Sequence, residues 1–355
     1  MKIEKVHLDD YHEIVKLNDK NNLISLERPD WENLWKKNPY LENNKVKWTI
    51  GWKLMNENKE LEGLILNIPF IFKHKKQEIL AAICSNYVIN KNYRSHSLKL
   101  RHLFLNQPNV DLYITNTANQ KSEKIMLAFK AKRIVQYDYQ NRLIYILKKR
   151  KFLIKIFSNF RLLFSLNFIR NLFRKNKNYK IEDIKFKEEK EFKNMDDLEN
   201  KLNLNNDLYS SKERDWLNWK YNIYIKSKNL TSLKVFKNRI LIGKIIMIKN
   251  FHKLENLQRM SIVEIIGFNN NLVYLEESLK KCILIGKENK LDLIDIIGFK
   301  KQIRDTISKV GFFKKKSLNF NFLVKNDNKK LDKILFNSMD ELNLSISDGD
   351  GIFYY

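Results

Sequence analysis

The sequence predicts a mixed α/β (α+β) fold built as two tandem units, and three observations predict it. First, Ala81–Ile89 is apolar and β-prone, Asn90–Tyr93 is turn material, and Arg94-Ser-His-Ser-Leu-Lys-Leu opens a helix with Leu98, Leu100, Leu103, Phe104 and Leu105 near helical spacing. Pro108 stops that helix and Val110–Thr115 follows as a second buried strand, so the stretch reads as a right-handed parallel crossover. Second, the order returns later, with Ser261–Phe268 as strand, Leu272–Lys287 as helix and Leu291–Ile297 as strand. Third, Gly63 and Gly243 stand about 180 residues apart in equivalent strands, a spacing that fits duplicated units.

The first unit begins with a strand at Ile3–Leu8 and a helix capped by Asp9 or Asp10. Trp31 and Trp35 mark a second helical segment closed by Asn38-Pro39. Val46–Met55 and Leu61–Phe72 read as antiparallel strands, and Gly63 within the second marks a bulge or a close backbone approach. After the crossover come Asn116-Thr-Ala-Asn119, a helix over Gln120–Ala131 and a strand over Arg142–Leu147. Ile181–Asn206 is a charged connector, and Tyr209–Tyr224 holds an aromatic segment expected in the core. Leu233–Phe236 and Ile240–Ile248 are strands, Ile303–Phe312 a helix ending in Gly-Phe, and Leu318–Val324 and Leu342–Ile346 the last strands. The units divide as 1–147 and 181–355, with 148–180 between them.

That joining stretch has its own character. No acidic residue lies between Asp138 and Glu182, while Leu153, Ile156, Phe157, Phe160, Leu163, Phe164 and Phe168 recur near helical spacing. Two readings stay open: a basic amphipathic helix lying on an anionic membrane surface through 148–177, or a strut whose aromatic face packs on its neighbours.

The 355 residues carry 43% hydrophobic and 12% aromatic side chains, which excludes a disordered chain. A formal charge of +26 points either to a polyanionic partner or to a plain bias towards Lys, Asn and Ile. Cys84 and Cys282 lie far apart in apolar runs, so neither a disulfide framework nor a metal pattern is expected and a reducing cytoplasm is the natural setting. The opening MKIEKVHLDD lacks a signal-peptide apolar region, no stretch is apolar enough to span a bilayer, and the six histidines give no metal site. Cytoplasmic placement, at most peripheral to the inner face of a membrane, follows as the expectation.

At the start of the crossover helix, backbone N–H groups and the positive dipole end suit a phosphate, with Arg94, Ser95, His96, Ser97 and Lys99 adding donors. An ordinary solvated helix end is the competing reading. Strand, Tyr93-Arg94-x-x-Ser97-x-Lys99, helix, strand and Asn119 together resemble the acyl-CoA-binding core of the GNAT superfamily of N-acetyltransferases. Arg94 matches the first position of that family's phosphate loop, while Ser97 and Lys99 stand where glycines are usual. Met126 stands where a proton-donating Tyr is common, and Ala131-Lys132 where Gly-Phe is. The two-unit layout is similar to mycothiol synthase and the Fem-type transferases, and Asn116-Thr-Ala-Asn119 with the terminal Asp-Gly-Asp resembles bacterial members near surface-polysaccharide genes.

The resemblance implies acyl transfer from acetyl-CoA or another acyl-CoA to a small-molecule amine. It places Tyr87, Val88, Ile89, Arg94, Ser95, His96, Ser97, Leu98 and Lys99 on the cofactor, and Asn86 and Asn119 at the meeting point of donor and acceptor. Ser85, Asn116, Thr117, Asp348 and Asp350 are the acceptor candidates, with a water relay or a carboxylate from Asp348 or Asp350 needed to remove the proton; a plain turn is the other reading of that tail. Two rival functions remain: a Fem-like transferase taking an aminoacyl-tRNA, the one reading with a nucleic-acid partner, and a non-catalytic binding module at the membrane.

Overall fold

A computed structural model describes residues 1–75, 77–134, 141–148, 183–192, 208–252, 256–268, 271–315, 323–326, 331–333, 335 and 342–354. The expected basic helix, past Lys148, lies outside the described residues.

Two sheets organise the chain. The first contains β1 (Lys2–Lys5), β2 (Gly51–Met55), β3 (Leu61–His74), β4 (Gln77–Ile89), β5 (Leu112–Thr115) and β6 (Lys132–Arg133). The second contains β7 (Arg142–Ile146), β8 (Ile184–Glu189), β10 (Leu230–Lys237), β11 (Ile240–His252), β12 (Leu257–Gly267), β13 (Leu293–Ile296) and β14 (Phe313–Lys315). Short β9 (Tyr209–Ser210) pairs with the far end of β3, and β15 (Leu323–Lys325) lies between β5 and β6.

The strand order is β1-β2-β3-β4-β5-β15-β6 in the first sheet and β8-β10-β11-β12-β13-β7-β14 in the second. Every pair is antiparallel except β4/β5 and β12/β13, which are parallel and occupy the same place in each order. The penultimate strand of each sheet is therefore supplied by the other half of the chain. β7, expected with the first unit, pairs Leu293–Ile296 of β13, and β15, expected with the second, pairs Tyr113–Thr115 of β5. A cut at residue 147 does not follow the hydrogen bonding. Two further expectations change: the charged connector contains edge strand β8, and Leu342–Ile346 makes only isolated bridges, Leu208 with Leu342 and Gly298 with Ser345.

Helices α1 (Tyr11–Lys20), α2 (Arg28–Lys36) and α3 (Pro39–Asn44) follow β1. Asn38 caps α3 by accepting from the Tyr40 amide, and Pro39 at its first turn costs no hydrogen bond. Trp31 and Trp35 of α2 turn into the core beside β3. Pro69 lies in β3 between the reach of β2, which ends opposite Leu66, and that of β9, which begins opposite Phe72, so its missing N–H breaks no ladder. The expected aromatic segment forms α6 (Arg214–Lys220) and α7 (Asn222–Lys226). Trp216 and Trp219 pack on Phe70 with ring centroids 6.0 and 5.3 Å away.

Each parallel pair is joined by a helix, α4 (Ser97–Leu105) in the first sheet and α8 (Leu272–Glu288) in the second. Helix α5 (Gln120–Ala128) follows β5 and α9 (Lys301–Lys309) follows β13. These equivalences place the two parallel crossovers, and the ends of their strands, at corresponding points.

Candidate functional site

In parallel sheets joined by helices, ligands gather where strands end and helices begin. Register between β4 and β5 ends at Ile83 and Ile114. Just beyond, β4 is bulged: Leu66 faces Ser85 and Leu64 faces Val88, leaving Asn86 and Tyr87 opposite Ile65. Asn86 takes φ 50°, the left-handed region that Asn tolerates better than most side chains. From Ser85 to Ile89 the edge of β4 thus runs on past its last register pair with β5, leaving a gap between the two strands.

Successive β4 side chains project to opposite faces. Ser85 faces the C-terminal tail, and its Oγ lies 3.2 Å from the hydroxyl of Tyr354. Cys84 faces α4, where Arg101 Nη1 donates to its sulfur at 3.3 Å and to Thr115 Oγ1 at 3.5 Å. Burial pushes the Cys84 thiol up, although Arg101 opposes this, so Cys84 is held as a neutral thiol.

The tail runs from Ser345 to Tyr354 across both halves. Gly349 lies against the Asn116 amide, where a Cβ would fall 2.1 Å from it, and Asn116 Nδ2 donates to the Ile346 carbonyl at 3.4 Å. Asp350 Oδ1 accepts from Thr117 Oγ1 at 3.0 Å. Asp350 is only 4% exposed, and burial pushes its carboxyl up to about 7, against the pull of Thr117 and Ser85. Tyr224 donates to the Ile352 carbonyl at 2.7 Å and holds the segment down.

Asp348, two residues earlier, belongs elsewhere. It is fully buried, binds Lys212 Nζ at 3.3 Å and the Ser345 amide at 2.6 Å, and accepts from Ser210. Lys212 also reaches Glu264 at 2.6 Å; Lys220 at 3.3 Å, Tyr221 at 3.1 Å and Ser347 at 2.6 Å complete the cluster. Burial alone would raise Glu264, but the two lysines overcome it and hold the carboxyl down at about 2. Asp348 thus anchors the tail by a buried ionic network and does not face the gap, which corrects its assignment to the acceptor.

Asn119 has a structural role as well. Its Oδ1 accepts from the amides of Lys121 and Ser122 at 3.0 Å each, so its oxygen caps α5 and is spent there. Met126 is fully buried with Leu100, Phe104 and Ala118.

The start of α4 differs from an open amide cradle. A short 3-10 helix over Lys91–His96 leads into it and ties the Ser97 amide to the Arg94 carbonyl. Ser95, Leu98 and Lys99 are exposed, and His96 and Ser97 half-buried. Arg94, Lys91 and Lys99 are exposed cations with no ion-pair partner among the described residues, so side-chain charge, more than glycine backbone, suits an anion here. Tyr87 donates from its hydroxyl to the Ser97 carbonyl at 3.0 Å, tying the bulge to the helix, and Val88 and Ile89 line the strand between them.

The structure brings together Ser85, Asn86, Thr117 and Asp350 around one gap, with Arg94 and Lys99 at the adjoining helix start. Arg101 and Tyr354 were missed. A signal for Arg101 existed: it shares a helix face with Phe104 and Leu105, where an apolar residue is expected. Among the described residues no group of His, Cys, Asp and Glu has metal-binding geometry, and no helix is long and apolar enough to cross a membrane.

The chain has a mixed α/β fold with two sheets. Comparison with solved structures finds this fold in the N-myristoyltransferase of Saccharomyces cerevisiae with bound myristoyl-CoA, at 11% identity and a TM-score of 0.55, over 92% of this chain and 78% of that one. A probable N-acyltransferase of unknown function from Enterococcus faecalis V583 matches at 12% identity and TM-score 0.56, over 92% and 72%. A second structure of the yeast enzyme, with myristoyl-CoA and inhibitors, gives 11% and 0.53 over 92% and 80%. No family model and no curated sequence matches the chain.

Proposed function

We propose that the protein is an acyl-CoA-dependent N-acyltransferase that acts on the amino group of a small molecule in the gap beyond Ile83 and Ile114. The observation that carries this reading is Asp350: a buried carboxylate tuned to about 7, set on Thr117 beside a bulged strand edge. A base with that affinity for protons is matched to removing one from an amine near neutral pH. The acyl-CoA neighbours support the donor class, and the unpaired Lys91, Arg94 and Lys99 suit its phosphates.

In the proposed reaction the acceptor nitrogen attacks the thioester carbonyl, forming C–N as C–S breaks. Asp350 takes the nitrogen's proton, and the free edge of β4 around Asn86 and Tyr87 donates to the oxyanion. The thiolate leaves without an acid, since Met126 has no proton to give; a thiol reference value of about 8.5 lets it leave near neutral pH. Ser85 and Asn116 shape the acceptor side mainly by fixing the tail that carries Asp350. The amine is taken to be that of an amino sugar or related metabolite, as in surface-polysaccharide synthesis.

Thiol release from acyl-CoA, measured against a panel of nucleotide-linked amino sugars, tests this. Activity that disappears in Asp350→Asn is expected; full activity in that variant would remove the assigned base, and turnover with aminoacyl-tRNA alone would favour the Fem-like alternative.

A further inference from the structure

Arg101 carries a charge the fold does not use. It is 0% exposed, yet it pairs with no carboxylate among the described residues, and its Nε and Nη2 meet no hydrogen-bond acceptor. Its contacts are Nη1 on Cys84 and Thr115, the Tyr87 ring 4.1 Å from the guanidinium carbon, and the Phe104 ring at 5.5 Å. Ring faces offset part of the lost hydration, but buried donors left without acceptors are rare in native proteins and call for a partner.

Three features say what the ligand is. The two unpartnered nitrogens share one edge of the planar fork, where their N–H bonds run side by side, the geometry that takes both oxygens of a carboxylate. Cys84 and Thr115 are the residues directly past the last register pair of β4 and β5, so the guanidinium lies beneath the point where the two strands part. Arg101 lies one turn into α4 while Arg94 lies in the 3-10 helix before it, roughly 10 Å apart along the axis and too far for both to hold one anion. Half-buried Tyr87, itself part of the bulge, stacks on the guanidinium.

We propose that Arg101 receives a carboxylate at the far end of the donor's acyl group, which makes the donor a CoA thioester of a short dicarboxylic acid. The inference rests on the acyl-CoA reading above and sharpens it, since an acetyl group would leave the fork empty. The transfer is unchanged in its balance: C–N forms, C–S breaks, and the amide product keeps the free carboxylate.

Calorimetry on the full chain with CoA, acetyl-CoA and succinyl-CoA tests it. Succinyl-CoA is expected to bind about tenfold or more tighter than acetyl-CoA, because a site built around paired donors discriminates against a ligand lacking their partner. Arg101→Met should collapse that ratio, and Arg101→Lys, which keeps the charge without the fork, should reduce it. Equal affinity of the two thioesters for the natural protein overturns the proposal even if neither variant folds. A preference that survives Arg101→Met overturns it too. Failure of CoA itself to bind would instead bring down the donor reading, and this inference with it.

Discussion

The two halves share one strand order and one pattern of parallel and antiparallel pairing, yet the tail meets their strand ends with different residues. Register between β12 and β13 ends at Ile262 and Ile296, as it ends at Ile83 and Ile114 in the first sheet. In the second sheet the tail fills the space beyond. Ser345 Oγ donates to the Val263 carbonyl at 2.7 Å, the Phe299 amide donates to the Leu344 carbonyl at 2.6 Å, and Gly298 bridges Ser345. Just past β12, the Phe268 ring lies on Gly243, where a Cβ would fall 2.2 Å from it. In the first sheet the corresponding corner carries Arg94 and Lys99 in solvent, and the gap has Asp350 on one face and Arg101 on the other. The difference teaches that one framework became two devices, a socket that grips the start of the tail and a site over which the end of the tail lays its acid.

Asp350→Asn is the strongest way to break this comparison. It should lower turnover by about 10²- to 10⁴-fold, the usual worth of a positioned base. In the natural protein, kcat/KM should climb as pH passes about 7 and level off above, because only the carboxylate accepts the proton. Stability moves the other way. The folded carboxyl is raised above its unfolded value, so its contribution is complete below about pH 4 and lost as pH rises through about 7. The variant should therefore melt higher than the natural protein at pH 8 and converge with it near pH 4; a flat rate profile with unchanged melting would detach Asp350 from both roles.

Glu264→Gln attacks the socket. It leaves Lys212 and Lys220 buried with less compensation, at about 3–5 kcal/mol. Because the folded Glu264 is held near 2, its stabilisation is present above about pH 4 and lost as pH falls towards 2. Denaturant melts at pH 7 and pH 3 would show the gap between the two proteins shrinking in acid. An unchanged midpoint at pH 7 would mean that the tail is anchored by other contacts.

Arg94→Glu sharpens the contrast between the corners. Reversing an exposed charge at the proposed phosphate site should weaken CoA binding by roughly 10- to 100-fold while the melting temperature holds. Calorimetry showing the same affinity would move the phosphates elsewhere. The smallest effect is expected from Asn119→Ala, which removes a helix cap and should cost about 1 kcal/mol with turnover nearly intact. A large loss of turnover there would restore Asn119 to the chemistry.

Local patterning made much of this protein legible in advance. Strands β3, β4, β5, β10, β11, β12 and β13 and helices α4 and α8 follow from apolar periodicity and from Gly and Pro punctuation, because burial of one face is written into neighbouring residues. The same is true of the helix start at Arg94–Lys99 and of the tail as a carrier of carboxylates. Tertiary structure alone decided three things. It exchanged β7 and β15 between the sheets, since backbone hydrogen bonds are identical at every residue and do not record which distant strand will complete them. It sent Asp348 to buried Lys212 and Asp350 to Thr117, giving chemically equal side chains different tasks through surroundings assembled from residues over 130 positions away. And it enclosed Arg101 between Cys84, Thr115 and Tyr87, because whether a cation is solvated or stranded depends on what packs above it.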